Sequence, residues 1–142
     1  VVVGNEGVIL YTSDGGKNWQ QGLAPLNDVV NKLLDVKAYA NGEAWAVGAF
    51  GTLLFSSDYG QSWAYAREPE DFIINEIVKR DDGGLVAVGE FGTILISENV
   101  GADWLSVAAP VESSLMAIDF QSTAIGVAAG LEGVLLKTED GG

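Results

Sequence analysis

The feature that most restricts how this chain can fold is an eight-residue pattern, Ser/Thr-x-Asp-x-Gly-x-x-Trp, which returns at nearly constant distance. Thr12-Ser13-Asp14-Gly15-Gly16-Lys17-Asn18-Trp19 is the first copy, and Ser56 to Trp63 is the second. Ser97 to Trp104 is the third, and Thr138-Glu139-Asp140-Gly141-Gly142 carries the opening of a fourth. Trp19, Trp63 and Trp104 lie 44 and 41 residues apart, the spacing of stacked supersecondary units. The pattern has a mechanical reading. An apolar run ends, the Asp carboxylate accepts hydrogen bonds from the backbone of the following turn, and Gly supplies the positive φ that such a turn needs. The Trp then folds back over the turn. Asp14, Asp58, Asn99 and Asp140 share one place, and Gly16, Gly60, Gly101 and Gly142 share another. An amide in the third copy keeps the acceptor and loses the charge. A turn tolerates that exchange; a catalytic or metal-binding carboxylate does not. These residues, with Trp19, Trp63 and Trp104, are therefore read as structural.

Between the markers each unit repeats the same elements. Val1-Val2-Val3, Trp45-Ala46-Val47, Val86-Ala87-Val88 and Val127-Ala128-Ala129 are short β-type runs, each ended by Gly4, Gly48, Gly89 or Gly130. Three residues on stands a second glycine, at Gly7, Gly51, Gly92 and Gly133, so two glycines bracket a tight hairpin turn. A second run follows: Val8 to Tyr11, Thr52 to Phe55, Thr93 to Ile96 and Val134 to Lys137. These runs are apolar at successive positions, which describes a strand covered on both faces; Lys137 breaks the rule in the last copy and points to a less covered face there. Upstream of the glycine-ended runs lie Leu33 to Val36, Ile74 to Ile77 and Leu115 to Ile118, assigned as the innermost strands. Asn27 to Tyr39 and Asp71 to Arg80 also fit an amphipathic helix, with Val29, Val30, Leu33 and Leu34, or Ile73, Ile74 and Ile77, at helical spacing. Repeat equivalence decides for strands, because Met116 to Phe120 alternates as a strand does. Pro25, Pro69 and Pro110, one per connector, fit an extended crossing from one sheet to the next.

Four short antiparallel strands in each unit of about 41 residues are the arithmetic of a β-propeller blade. The fold class expected is all-β, a single β-propeller segment over 1–142, divided as a partial blade at 1–19, blades at 20–63 and 64–104, and an incomplete blade at 105–142. Complete propellers typically have about four to eight blades, so the chain is expected to be an excerpt of a larger propeller. Exposed blade edges would then promote self-association.

Gly4-x-x-Gly7 to Trp19, Gly48-x-x-Gly51 to Trp63 and Gly89-x-x-Gly92 to Trp104 resemble the Asp-box (BNR) repeat. The longer form Val88 to Trp104 is similar to that of the photosystem II stability and assembly factors and their bacterial relatives. The resemblance implies the propeller fold, an extracytoplasmic (periplasmic) location, and a scaffolding or assembly role. Other carriers of the motif are sialidases, further glycosidases and sorting receptors, so it marks fold more than activity. A sialidase-like site would need three arginines to hold a carboxylate; this chain has Arg67 and Arg80 alone. The basic patch attributed to the photosystem factors has no counterpart here.

Charge and composition exclude more than they select. Twenty acidic against seven basic residues give a net charge of −13, which argues against a nucleic-acid surface and against anionic lipid. Without Cys or His there is no thiolate or imidazole ligand and no imidazole base; no metal and no cofactor are expected. No apolar run approaches the ~20 residues of a membrane-spanning helix. A retaining or inverting glycosidase needs two carboxylates roughly 5 to 10 Å apart, for which Glu68, Glu70 and Asp71 in one connector, or Asp81 and Asp82 in the next turn, are candidates. The plainer reading makes both clusters solvated loop charge. Trp45, Phe50, Tyr59, Tyr65 and Phe91 offer a glycan-stacking or protein-contact surface. Phe50 and Phe91 share the turn slot that Glu6 and Glu132 hold in the flanking copies, and each either packs between blades or is an exposed contact. The resulting expectation is a non-enzymatic protein-binding module, with Phe50, Phe91, Glu68, Glu70 and Asp71 as the contact surface. The alternative is a glycoside hydrolase or glycan-binding fragment.

Overall fold

The computed structural model describes residues 1–25 and 32–142. It is all-β, with four antiparallel sheets gathered into two compact units, Val1–Asp71 and Phe72–Gly142. The first unit holds a sheet of β1 (Val2–Val3), β2 (Ile9–Tyr11) and β3 (Gln20–Gln21). Its second sheet comprises β4 (Leu33–Ala38), β5 (Ala44–Gly48), β6 (Leu53–Ser56) and β7 (Ala64–Tyr65). The second unit repeats the plan, with β8 (Ile74–Lys79), β9 (Leu85–Gly89), β10 (Thr93–Ser97) and β11 (Leu105–Ala108) in one sheet. Its other sheet is β12 (Leu115–Phe120), β13 (Gly126–Gly130) and β14 (Leu135–Thr138). Within each sheet a strand pairs with the next in sequence, and the strand after Trp19, Trp63 or Trp104 pairs back onto the strand before it. A sheet therefore closes a few residues past its tryptophan.

The innermost strands are strands, and the helical spacing of their apolar residues has a local cause. Leu33 faces Gly48 and Asp35 faces Val47, so Leu34 is an extra residue in the ladder. The same irregularity recurs at Asn75 and at Met116. A bulge sets residues i and i+3, rather than i and i+2, on one face. Ile74 with Ile77 and Leu115 with Ile118 are accordingly buried, while Met116 is exposed. Residues 26–31, and with them Val29 and Val30 of the helix-like stretch, lie outside the described residues.

Continuous apolarity translates into two-sided cover at the middle strands. The runs read as covered on both faces become β2, β6 and β10, buried or half-buried throughout, and beside them every residue of the glycine-ended β5 and β9 is buried. Trp45, one of the aromatics considered for a surface, is among them, with its ring 4.6 Å from that of Phe55 across the ladder. It is a core residue because the central strand of a sheet covered on both faces leaves no side chain free. The last sheet differs, as Lys137 implies: β14 alternates exposed with half-buried residues, and Leu135 is 71% exposed.

Within a sheet the glycine-ended strand runs tight against the start of the inner strand it pairs with. A Cβ on Gly48 would lie 2.0 Å from the Lys32 carbonyl oxygen, one on Gly89 2.1 Å from that of Ile73, and one on Gly130 2.4 Å from that of Ser114. The residue after each glycine donates its N–H to that same carbonyl, at 2.8, 2.9 and 2.9 Å. The glycine is required by this approach and not by its φ, which is extended at Gly89 and Gly130. The core of the first unit is Ile9, Leu33, Ala44, Ala46, Leu54 and Trp63; that of the second is Val86, Val88, Ile96, Leu115, Ile118 and Ala128.

Arg80 is a buried clamp in the second unit. Its guanidinium donates to the Gly141 carbonyl at 2.8 Å, pairs with Glu98 and Asp82, and lies 6.0 Å from the Phe120 ring centroid. It joins the β8–β9 turn to the end of the β14 hairpin, and is committed to packing rather than to a substrate.

Gly89→Ala is expected to lower stability by about 3 kcal/mol, because backbone must move to admit the methyl. Gly133→Ala, at φ +77 with open space around it, is expected to cost only about 1 kcal/mol. Urea denaturation of the two variants measures the difference.

Candidate functional site

The turns that end β2, β6 and β10 are built on one hydrogen-bond plan. In the first, Asp14 Oδ1 accepts from the backbone N–H groups of Lys17 and Asn18, both at 3.0 Å, and from the Thr12 hydroxyl at 2.8 Å. The Thr12 hydroxyl oxygen in turn accepts from Gly16 N–H at 3.0 Å. Asp58 repeats this with Ser62 N–H and the Ser56 hydroxyl, and buried Ser56 accepts from Gly60 N–H at 3.0 Å. The indole closes the turn: Trp19 Nε1 donates to the Gly16 carbonyl at 3.1 Å and Trp63 Nε1 to that of Gly60 at 2.9 Å. Trp63 is 6% exposed and packed in the core, whereas Trp19, assigned to packing from sequence, is 45% exposed over its own turn; Trp104 is half-buried.

Asn99 retains the plan by exchanging roles with its partner. In the first copy the Asn18 amide donates to Asp14 Oδ2 at 2.6 Å; in the third, the Asn99 amide donates to Asp103 Oδ2 at 2.8 Å. Carboxylate and amide have traded places across one hydrogen bond. The Asn99 oxygen still accepts from Asp103 N–H at 2.9 Å and from the Ser97 hydroxyl at 3.0 Å.

These bonds stabilise the charged carboxylate. The Asn18 backbone, the Asn18 amide and the Thr12 hydroxyl hold the Asp14 pKa at about 2, against an ordinary 3.8. Asp58 is lowered by the Ser62 hydroxyl and backbone, and Asp140 by the Thr138 hydroxyl and a Gly142 backbone bond. A depressed folded-state pKa gives stability that is complete above the ordinary value and lost as pH falls toward the folded one, so these turns weaken between roughly pH 4 and 2.

The hairpin tips carry the exposed aromatics. Phe50 and Phe91 sit at φ +56 and +55, followed by Gly51 and Gly92 at +58 and +66. Glu6 and Glu132 take the same conformation in the other copies. Two successive positive φ angles make a type I′ hairpin turn, which is strained by about 1 kcal/mol for a residue with a side chain. Phe50 is 48% exposed and Phe91 73%, so neither is buried by packing. The connector passes each tip: Glu70 N–H donates to the Phe50 carbonyl at 3.0 Å, and a Cβ on Gly92 would lie 2.0 Å from the Val111 carbonyl oxygen. Glu68, Glu70 and Asp71 are all exposed on the connector that carries Pro69, with Glu70 in an ion pair with Arg67. The first unit thus brings Phe50 and Glu70 together; Phe91 occupies the corresponding tip of the second. Asp82 is a turn residue, accepting from Gly84 N–H at 2.9 Å and pairing with Arg80.

Sequence reasoning did not find the polar links between neighbouring inner strands of the second unit. Glu76 accepts from Ile118 N–H at 2.7 Å and Asn75 donates to the Leu115 carbonyl at 2.8 Å. Both follow from the bulge, which turns a polar side chain along the sheet interface instead of into solvent. Two adjacent polar residues inside an apolar strand were the available signal.

Residues 1–70 match the family model of the photosynthesis system II assembly factor YCF48. The repeats are BNR-type propeller blades related to YCF48. The BNR-type architecture recurs in solved structures. YCF48 from Cyanidioschyzon merolae is 23% identical, with a TM-score of 0.70 over 97% of this chain and 47% of its own length. A YCF48 bound to a D1 peptide is 19% identical, with a TM-score of 0.67 over 85% of this chain and 43% of that one. An ancestral GH74 enzyme is 17% identical, with a TM-score of 0.75 over 99% of this chain and 23% of that one. At these identities the likeness concerns the fold, and the chain spans under half the length of each of the three. No curated protein matches it in sequence.

Two outcomes follow for the turns. Asp14→Asn sets two amide donors against each other and is expected to lower the melting temperature, while Asp14→Asn with Asn18→Asp, the arrangement of the third copy, restores it; thermal melts at pH 7 separate the two. Ser56→Ala leaves the Gly60 N–H without its acceptor in a buried turn and is expected to cost about 1 to 3 kcal/mol by urea denaturation.

Proposed function

We propose that this chain is a non-enzymatic propeller module that binds protein segments and helps assemble a membrane-associated complex outside the cytoplasm. The observation that carries the reading is the pair of exposed phenylalanines held at positive φ on the hairpin tips. A large apolar side chain in a strained, solvent-facing position is poor economy for folding and useful for contact. The match to the YCF48 model and the fold of a YCF48 that holds a D1 peptide support an extended protein segment as the ligand. The net charge of −13 favours a basic segment over an acidic one. In this reading Asp14, Asp58, Asn99 and Asp140 mark Asp-boxes, with Gly16, Gly60, Gly101 and Gly142 and with Trp19, Trp63 and Trp104, and the chain is one propeller segment divided by its repeats at 1–19, 20–63, 64–104 and 105–142, the first three sheets taking their closing strand from just past the tryptophan. Phe50, Phe91, Glu68, Glu70 and Asp71 form the contact surface.

A glycoside hydrolase or glycan-binding role is the second reading, favoured by the fold likeness to an ancestral GH74 enzyme. The acidic connector is its candidate site. Against it, the Glu70 carboxylate is engaged by Arg67.

Fluorescence anisotropy of synthetic extended peptides graded in charge, with the D1 peptide among them, tests the proposal. Basic members are expected to bind best, and Phe50→Ala with Phe91→Ala to weaken binding roughly tenfold. Unaltered binding by that double variant refutes the contact surface, and turnover of soluble glycans abolished by Glu70→Gln gives the chain to the second reading.

A further inference from the structure

The tips at Phe50 and Phe91 are each touched, backbone to backbone, by the connector that runs past them. In the first unit Glu70 N–H meets the Phe50 carbonyl at 3.0 Å. In the second the Val111 carbonyl oxygen lies against Gly92, 2.0 Å from where a Cβ would stand. One residue beyond each contact the connector carries an exposed carboxylate, Asp71 in the first case and Glu112 in the second. The tip residue beside it is an exposed ring. Three residues before Leu33, Ile74 and Leu115, which open the inner strands, the sequence has Val30, Asp71 and Glu112, and the tips that precede these connectors are Glu6, Phe50 and Phe91. In sequence, each tip and connector thus combine one acid with one apolar side chain, and in the first repeat the two have changed places. A single exposed ring or a single surface carboxylate needs no explanation. The same combination kept through an exchange of positions does.

Such a pair fits a long basic side chain, whose apolar stem lies along the ring while its charged head meets the carboxylate. Arginine suits it better than lysine, because a planar guanidinium stacks on a ring and still pairs with a carboxylate. The first unit meets part of this need from within, where Arg67 pairs with Glu70 on the same connector. Arg67 stands four residues past Trp63; four residues past Trp104 the second unit has Ala108. None of residues 90–92 and 109–114 is Lys or Arg. A second carboxylate is close by, since the Ser113 hydroxyl donates to Glu132 Oε2 at 2.8 Å, and Val111 and Ser113 are at most about 7 Å apart along the connector. The second unit therefore presents an exposed ring beside carboxylates, with no basic residue in the tip or the connector to neutralise them.

We propose that Phe91 and Glu112 form a seat for one arginine side chain of a bound protein segment, its guanidinium stacked on the Phe91 ring and paired with the Glu112 carboxylate. The inference rests on the reading of the tips as a contact surface and adds to it the side chain that the second unit selects.

The test is an NMR titration of the whole chain with a capped peptide Thr-Val-Arg-Val-Thr, and with the same peptide carrying citrulline, the uncharged isostere of arginine. The arginine peptide is expected to shift the Phe91 ring and Glu112 amide resonances and to bind roughly tenfold more tightly than the citrulline peptide. Phe91→Leu and Glu112→Gln are each expected to weaken the arginine peptide roughly threefold, and Glu112→Gln to leave the citrulline peptide unchanged. Both side chains face solvent, so both variants should keep the native melting transition. Shifts confined to residues away from the tip, or an arginine affinity untouched by Glu112→Gln, overturn the seat. Equal binding of the two peptides that Phe91→Leu weakens overturns the seat alone and leaves the tips as a contact surface. Failure of both peptides to bind also overturns the seat, and the charge-graded anisotropy series then decides on the tips independently.

Discussion

The whole arrangement depends on a close approach of two backbones. At Gly48, Gly89 and Gly130 the end of one strand comes so near the carbonyl that opens the inner strand that no side chain fits between them. The next N–H then bonds to that carbonyl. This single contact fixes where the hairpin begins relative to the inner strand, and so sets the register of the whole sheet. The bulge one residue later is its companion. It absorbs the offset that the approach creates and rotates Leu33, Ile74 and Leu115 into the core while the following residue turns away.

The turns after the second strands have a different task. They reverse the chain in a space too small for regular pairing, and they do so with side-chain oxygens standing in for backbone acceptors. Ser56, buried beneath its turn, holds Gly60 in place, and the indole of Trp63 returns to the same glycine's carbonyl. The bond network holds the aspartates in their charged form. In Asp14 and Asp58 both carboxylate oxygens accept from donors of their own turn.

Much of this was legible in the residues. Gly-x-x-Gly with apolar runs on either side announced the hairpins, and the Asn99 substitution marked its position as a hydrogen-bond acceptor of the turn. Repeat comparison outweighed the helical spacing at Ile74 and Ile77, and the bulge explains why that spacing was there to mislead. Other features needed coordinates. Trp45 reads as any surface aromatic would, and only the depth of the central strand shows that it is core. Trp19 and Trp63 carry the same motif, yet one is largely exposed and the other enclosed, because neighbouring sheets and not the motif decide burial. The exposure of Phe50 and Phe91 was not legible in sequence, where a ring at a turn tip fits packing between blades better than an exposed contact.

The exchange of partners between Asn18 with Asp14 and Asn99 with Asp103 has a consequence for how such repeats diverge. One turn geometry accepts the negative charge at either end of the bond, and a hydroxyl at Ser62 serves as a third solution. Successive copies are thereby free to drift in where they display charge while their backbone stays the same. A lineage of these modules is able to repaint its electrostatic face, and so change the company it keeps, without first having to relearn how to fold.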